Sequence, residues 1–218
     1  MRDDVLTDIS ALVPVRPDGF VRVGIDGVDG VGKTTFADAL AAHLRADGRD
    51  VVRIRADDFL NPRAVRHRLG RDSPEGFFLD SYDVPRLRLD VLDPFSPHGS
   101  GRYRDAALDL AADRPLDPPW QQAAPGSVLV LDGMFLHRDE LAGIWDVGVL
   151  LDAPFTETVH RMAERDGSNP DPDHPSVRRY VEGQRLYFRT CDPHSRADVV
   201  VDNADVVHPT IVRCQPRR

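Results

Sequence analysis

The chain has 218 residues, a net charge of −8 and 41% apolar residues. That length suits one α/β domain, and the apolar share is enough for a buried core. An acidic balance counts against a nucleic-acid binder, which normally carries a basic excess. No stretch approaches the roughly 20 apolar residues of a membrane span, and no apolar leader follows Met1-Arg2-Asp3-Asp4. Cys191 and Cys214 are too few for a disulfide framework and lack metal-ligand spacing. The expected setting is the cytoplasm. Of the 28 basic residues, Lys33 is the only lysine. A planar guanidinium does not replace a compact ammonium everywhere, so position 33 stands out as needing a point charge.

Residues 1–19 read as a loosely packed lead-in ending in the turn Pro17-Asp18-Gly19. Phe20–Asp26 is an apolar run of strand length. After a glycine-rich segment, Thr34–Arg45 places Phe36, Leu40 and Leu44 at helical spacing, and Val51–Ala56 is a second strand. Strand, helix and strand in that order make a βαβ unit and predict a parallel sheet. Residues 57–105 are rich in proline and aromatics, with helical pieces expected near 62–69 and 85–92 and a functional loop at 94–104. Ser127–Leu131 and Val147–Leu151 are unbroken apolar runs suited to buried strands. Helices are expected over Phe155–Arg165 and Val177–Thr190, separated by the polar segment Gly167–Pro175, and Asp198–Val201 closes the sheet. One domain over residues 20–205 is expected, with a lid at about 161–180 and a tail at 206–218.

Gly27-Val28-Asp29-Gly30-Val31-Gly32-Lys33-Thr34 fits G-x-x-x-x-G-K-[ST] in full, between a predicted strand and a predicted helix. Its glycines let backbone amides approach phosphate oxygens, and the helix N-terminus favours the bound anion. Lys33 would reach the β- and γ-phosphates, Thr34 would hold Mg²⁺, and Thr35 follows in the same turn. ATP and Mg²⁺ are therefore the expected ligands. Asp132, at the end of the Ser127–Leu131 run, has the position of a Walker B carboxylate that holds the metal. A guanine-specificity N-K-x-D motif is impossible with Lys33 as the only lysine, which sets GTPases aside.

Ala56-Asp57-Asp58-Phe59 after the second strand resembles the D-[SDG]-F element of the uridine kinase-like P-loop kinases. That group includes uridine/cytidine kinases, nicotinamide riboside kinases, phosphoribulokinase and the bacterial pantothenate kinase. Leu131-Asp132-Gly133-Met134, Arg161-x-x-x-Arg165-Asp166 and the segment Tyr180–Val201 are similar to further elements of the group. The resemblance spans about residues 20–203. It implies a three-layer P-loop α/β fold, a doubly wound parallel sheet of about five strands with a helical lid, and phosphoryl transfer from ATP to a hydroxyl of a small molecule. It implies Asp57 as the base, with Asp58 the alternative. Arg161 and Arg165, one helical turn apart, would stabilise the transferring group. Phe59, Tyr82, Tyr103 and Arg104 are the expected acceptor contacts beside Asp57.

Two departures concern the acceptor. The uridine kinase Tyr-x-x-x-x-His element starts at Tyr103 but meets Leu108 where histidine is expected, and Arg179 stands where a glutamine often precedes the helix tyrosine. The acid Asp29 inside the loop is shared with thymidylate kinases, whose Asp-Arg-aromatic element is absent: Asp113-Arg114 is followed by Pro115. A nucleoside is the first expectation. Pantothenate, a sugar phosphate or dTMP are alternatives, as is a nucleotide-dependent assembly factor with no acceptor. The expected partner is a small molecule, neither nucleic acid nor membrane, and homo-oligomerisation stays open.

Overall fold

The computed structural model describes residues 2–215. Six strands form the central sheet: β1 (Val21–Gly27), β2 (Val51–Arg55), β3 (Val128–Asp132), β4 (Val147–Asp152), β5 (Val199–Asp202) and β6 (Thr210–Cys214). Their spatial order is β6-β5-β4-β1-β3-β2. All neighbours run parallel except β6, which pairs antiparallel with β5 at the edge. The expected strands are therefore present, and an unforeseen hairpin strand is added from the segment read as a tail. Residues 216–218 of that segment lie outside the described residues.

Among the described residues, the longer helices are α1 (Arg2–Leu12), α2 (Lys33–Ala46), α3 (Pro74–Asp80), α4 (Phe155–Asp166) and α5 (Arg178–Cys191). Alternation along the buried strands divides the core by face. Val21, Val23, Ile25, Val128 and Val130 meet α2 through Phe36, Leu40 and Leu44. Leu129, Leu131 and Ile54 face the other layer with Phe77, Phe135 and Trp145. Apolar side chains thus cover both faces of one mostly parallel sheet, the doubly wound arrangement expected.

Two regions differ from their sequence reading. Residues 2–12 are not a loose lead-in: α1 buries Val5, Leu6 and Ile9 in the α2 core. Residues 56–122 have the two expected helical pieces, at 63–66 and 84–92, but add the unforeseen α3, a turn at 56–59 and two-residue antiparallel ladders at 102–103/121–122 and 108–109/114–115. The region is held by aromatic packing. Phe77, Phe78, Tyr82 and Tyr187 surround Phe135, with ring centroids 5.2–6.4 Å apart. Such edge-on pairs each add about 0.5–1.5 kcal/mol beyond area burial.

Close approach of α5 to α3 needs Gly183. A Cβ there would come within 2.8 Å of both the Phe77 ring and the Pro74 carbonyl. This contact brings the start of α5 beside the turn at 63–66, which matters for the second cavity described below.

Candidate active site

The carboxyl ends of β1, β2 and β3 lie side by side, with Asp132 opposite Ile25 on one neighbour and Arg55 on the other. Ligands bind at this rim of open α/β sheets. The loop after β1 follows the sequence pattern closely. Val28 and Val31 are buried and pin it to the core, leaving the polar and glycine positions at the surface of the cleft. Asn203, after β5, donates its side-chain N–H to the Val31 carbonyl at 2.7 Å. Gln184 on α5 accepts from the Asp29 amide at 2.5 Å.

Gly30 adopts φ +78°, and a Cβ there would lie 2.2 Å from the Thr158 carbonyl on α4. The left-handed backbone alone costs a non-glycine residue about 1–2 kcal/mol. Gly30→Ala is therefore expected to push the loop away from α4. It should lower the urea midpoint and weaken ATP binding together; unchanged binding would show that the loop tolerates the displacement.

Behind the loop sits a buried polar cluster that the sequence did not reveal. Asp26 immediately precedes Gly27 and is fully buried. One carboxylate oxygen accepts from the Gly27 amide at 2.7 Å. The other accepts from the Tyr187 hydroxyl at 2.5 Å and the His137 amide at 3.1 Å, and faces His137 Nδ1 at 2.8 Å. Burial alone would push this carboxyl up. The bond and charge of His137, with the Tyr187 and Gly27 bonds, outweigh it and hold Asp26 below its ordinary value. The root of the loop is thereby tied to the β3–β4 connection and to α5.

In front of the loop a cavity of about 370 Å³ is lined by Asp29, Gly30, Gly32, Lys33, Thr34 and Thr35 together with Asp57, Asp132, Gly133, Met134, Arg161 and Arg165. The Lys33 ammonium donates to the Val28 carbonyl at 2.8 Å, arching over the loop. Thr34 donates its hydroxyl to one Asp132 oxygen at 2.8 Å, while Arg53 holds the other at 2.6 Å. Arg53 was not foreseen, since a strand arginine carries no motif.

Asp57 lies on the first turn after β2 and accepts from the Tyr82 hydroxyl at 2.7 Å. Tyr82 in turn accepts from the Met134 amide at 3.2 Å. Burial and then the adjacent Asp57 push the Tyr82 phenol well up, so it remains a protonated donor. Asp58 turns the other way and pairs with Arg55 at 2.9 Å. Arg161 donates to the carbonyls of Asn203 and Ala204, and Arg165 lies 3.4 Å from Asp29 and 2.9 Å from Asp166.

The remaining expected acceptor contacts are not gathered here. Phe59 is fully buried in the core. The Tyr103 ring packs on Phe95 and its hydroxyl donates to Gln121, while Arg104 pairs with Asp117 and lies over Trp120. Neither Tyr103 nor Arg104 lines this cavity or the one that continues from it past Asp57. The short ladder at 102–103/121–122 holds Tyr103, and the contacts with Asp117 and Trp120 hold Arg104, away from these cavities.

Fold and loop together give the architecture of the P-loop small-molecule kinases. No protein-family model matches the chain. It is similar to a dephospho-CoA kinase of Thermobifida fusca (strain YX), 27% identical over 84% of this chain and 88% of that protein. Among solved structures it is similar to a possible uridine kinase from Bacillus stearothermophilus, with TM-score 0.69 and 25% identity over 91% of this chain and 96% of that one. Phosphoribulokinase from Rhodobacter spheroides shares the fold at TM-score 0.57 and 15% identity, over 92% of this chain and 77% of that one. The possible uridine kinase and phosphoribulokinase lie in the kinase group whose motifs the sequence resembles, and the dephospho-CoA kinase is also a P-loop kinase.

Among the described residues no helix is long and apolar enough to cross a membrane.

Proposed function

We propose that the protein is a magnesium-dependent kinase that moves the γ-phosphoryl of ATP to a hydroxyl of a small metabolite. One observation carries this reading: Lys33, Thr34, Asp132, Asp57, Arg161 and Arg165 line a single cavity, although the chain separates them by up to a hundred residues or more. Phosphoryl transfer asks a protein mainly for positioning and charge stabilisation, and this set supplies both.

The loop and Lys33 would hold the β- and γ-phosphates. Asp57, positioned by Tyr82, would accept the proton of the acceptor hydroxyl, and Arg161 and Arg165 would face the charge that builds on the transferring group. The donor set suits Mg²⁺, because the Thr34 and Asp132 oxygens already meet at 2.8 Å. A phosphate-site Mg²⁺ needs only one or two protein oxygens, the rest coming from phosphate and water. When bound it would neutralise the β/γ oxygens. Two free thiols, Cys191 and Cys214, fit a reducing compartment such as the cytoplasm.

An acceptor that contains a nucleoside moiety, as a nucleoside or a nucleotide, is supported by the likeness to the possible uridine kinase and by the rings of Phe77 and Tyr180, which border the cavity on the acceptor side of Asp57. The test is ADP release from Mg-ATP across nucleosides, pantothenate, sugar phosphates and nucleoside monophosphates. Strong stimulation by one of them is the expected outcome. Release that no acceptor raises above background would overturn the kinase reading in favour of a nucleotide switch.

A further inference from the structure

Beyond Asp57 the cleft continues into a second cavity of about 710 Å³, and Asp29, Asp57 and Met134 line both spaces. A molecule whose hydroxyl rests on Asp57 would have this second space open to it. Its far wall is built from arginine: Arg63 and Arg66 on the turn at 63–66, Arg71 beyond it, and Arg179 on α5.

Among the described residues only Arg66 of these four forms an ion pair with a carboxylate, Asp113. Arg179 is buried, with a relative exposure of 8%, and donates to the carbonyls of Arg71 and Arg66, fastening the 66–71 segment to α5. Arg66 donates to the Asn61 carbonyl at 2.7 Å, with Asp113 3.8 Å away. Among the described residues the Arg63 and Arg71 guanidiniums have no hydrogen-bond or ion-pair partner.

The acids facing this space are Asp29 and Asp57 at the phosphate-loop end, and Asp72 beside Arg71. Asp29 already lies near Arg165 and Asp57 is bonded by Tyr82. On the far side, four guanidiniums are balanced by two carboxylates: Asp72, and Asp113, which lies 3.8 Å from Arg66 and accepts from the Arg63 amide at 2.9 Å. The imidazole of His67 among them is pushed down by its burial and then by these same four arginines.

Like charges gathered at one wall repel each other, and a chain of net charge −8 has no general excess to place there. Guanidinium forks match phosphate and carboxylate geometry, and the interaction strengthens in a partly desolvated cleft. A neutral acceptor would leave these charges uncompensated.

We infer that the acceptor carries an anionic group, phosphate or carboxylate, remote from the hydroxyl that is phosphorylated, and that Arg63, Arg66 and Arg71 bind it. Arg179 is the strut that sets their spacing. This rests on the kinase reading for the placement of the hydroxyl, whereas the anion site itself does not.

The experiment is calorimetric binding to protein saturated with Mg²⁺ and a non-hydrolysable ATP analogue, so that the phosphate loop is already filled. The probes are inorganic phosphate, ribose 5-phosphate against ribose, UMP against uridine, and gluconate against glucose. The phosphate and carboxylate arms separate the two anion chemistries. At least one anionic probe should bind about tenfold or more tightly than its neutral counterpart. That preference should disappear in Arg63→Ala/Arg71→Ala and largely return in Arg63→Lys/Arg71→Lys, with affinity for the ATP analogue unchanged in both. These side chains are exposed, so folding should survive their loss.

Equal binding of charged and neutral probes, no anion binding at all, or a preference that persists in the double alanine variant would each overturn the inference. The two readings fail separately. Turnover stimulated equally by neutral nucleosides would keep the kinase and remove the anion site. Anion preference without acceptor-stimulated ADP release would keep the site and remove the kinase.

Discussion

Asp57→Asn should lower acceptor-dependent kcat by about 10²–10⁴-fold, the usual contribution of a general base. Asparagine keeps the shape and can still accept from the Tyr82 hydroxyl, so the 2.7 Å contact that positions the side chain survives. What it cannot do is take the acceptor's proton. Equilibrium binding of Mg-ATP should stay within about twofold, since the substitution removes no phosphate ligand. Asp58→Asn is the matched control. Its carboxylate pairs with Arg55 outside the cavity, so turnover should change little. If Asp57→Asn turns over normally while Asp58→Asn does not, the roles of the two aspartates are exchanged. If neither matters, the acceptor proton leaves to solvent or to the transferred phosphoryl.

Lys33→Arg should cost about 10²–10³-fold in kcat, close to the loss from Lys33→Ala. The reason lies in shape rather than charge. The Lys33 ammonium reaches over the loop to within 2.8 Å of the Val28 carbonyl, in a cavity of only about 370 Å³. A guanidinium keeps the positive charge but is planar and wider, and would displace either the loop or the phosphate it serves. In a chain that otherwise uses arginine for every basic side chain except histidine, the exception should be the position least able to accept it. Acceptor-stimulated ADP release measured on both variants decides this. Near-normal turnover in Lys33→Arg would show that charge alone suffices there.

How much of this could be read from the chain depends on how local each feature is. The phosphate loop was legible because its residues are contiguous and its chemistry constrains type and spacing together. The buried strands β3 and β4 were legible because a strand covered on both faces needs an unbroken apolar run. Asp132 followed from these, as the acid that ends a strand beside the loop, whereas Asp57 came from the resemblance of Ala56-Asp57-Asp58-Phe59 to a kinase element. Helix α1 was not recognised, because the three apolar positions Val5, Leu6 and Ile9 in a short, acidic segment become a buried stripe only once α2 and the sheet are there to cover them.

Similarly, Tyr103 and Arg104 carried a plausible pattern, yet a two-residue ladder with Gln121 and Gln122 holds Tyr103, and contacts with Asp117 and Trp120 hold Arg104, away from the cavities. The cluster of Asp26, His137 and Tyr187 joins residues 111 and 161 positions apart, a spacing no motif records. The sequence by itself determined the five parallel strands and the phosphate-loop pattern, since each rests on neighbouring residues and a fixed period. Only the tertiary structure decided what lines the cavity beyond Asp57. Gly183 lets α5 close on α3, Arg179 then ties α5 to the 66–71 segment, and arginines that look like separate surface charges along the chain become one wall.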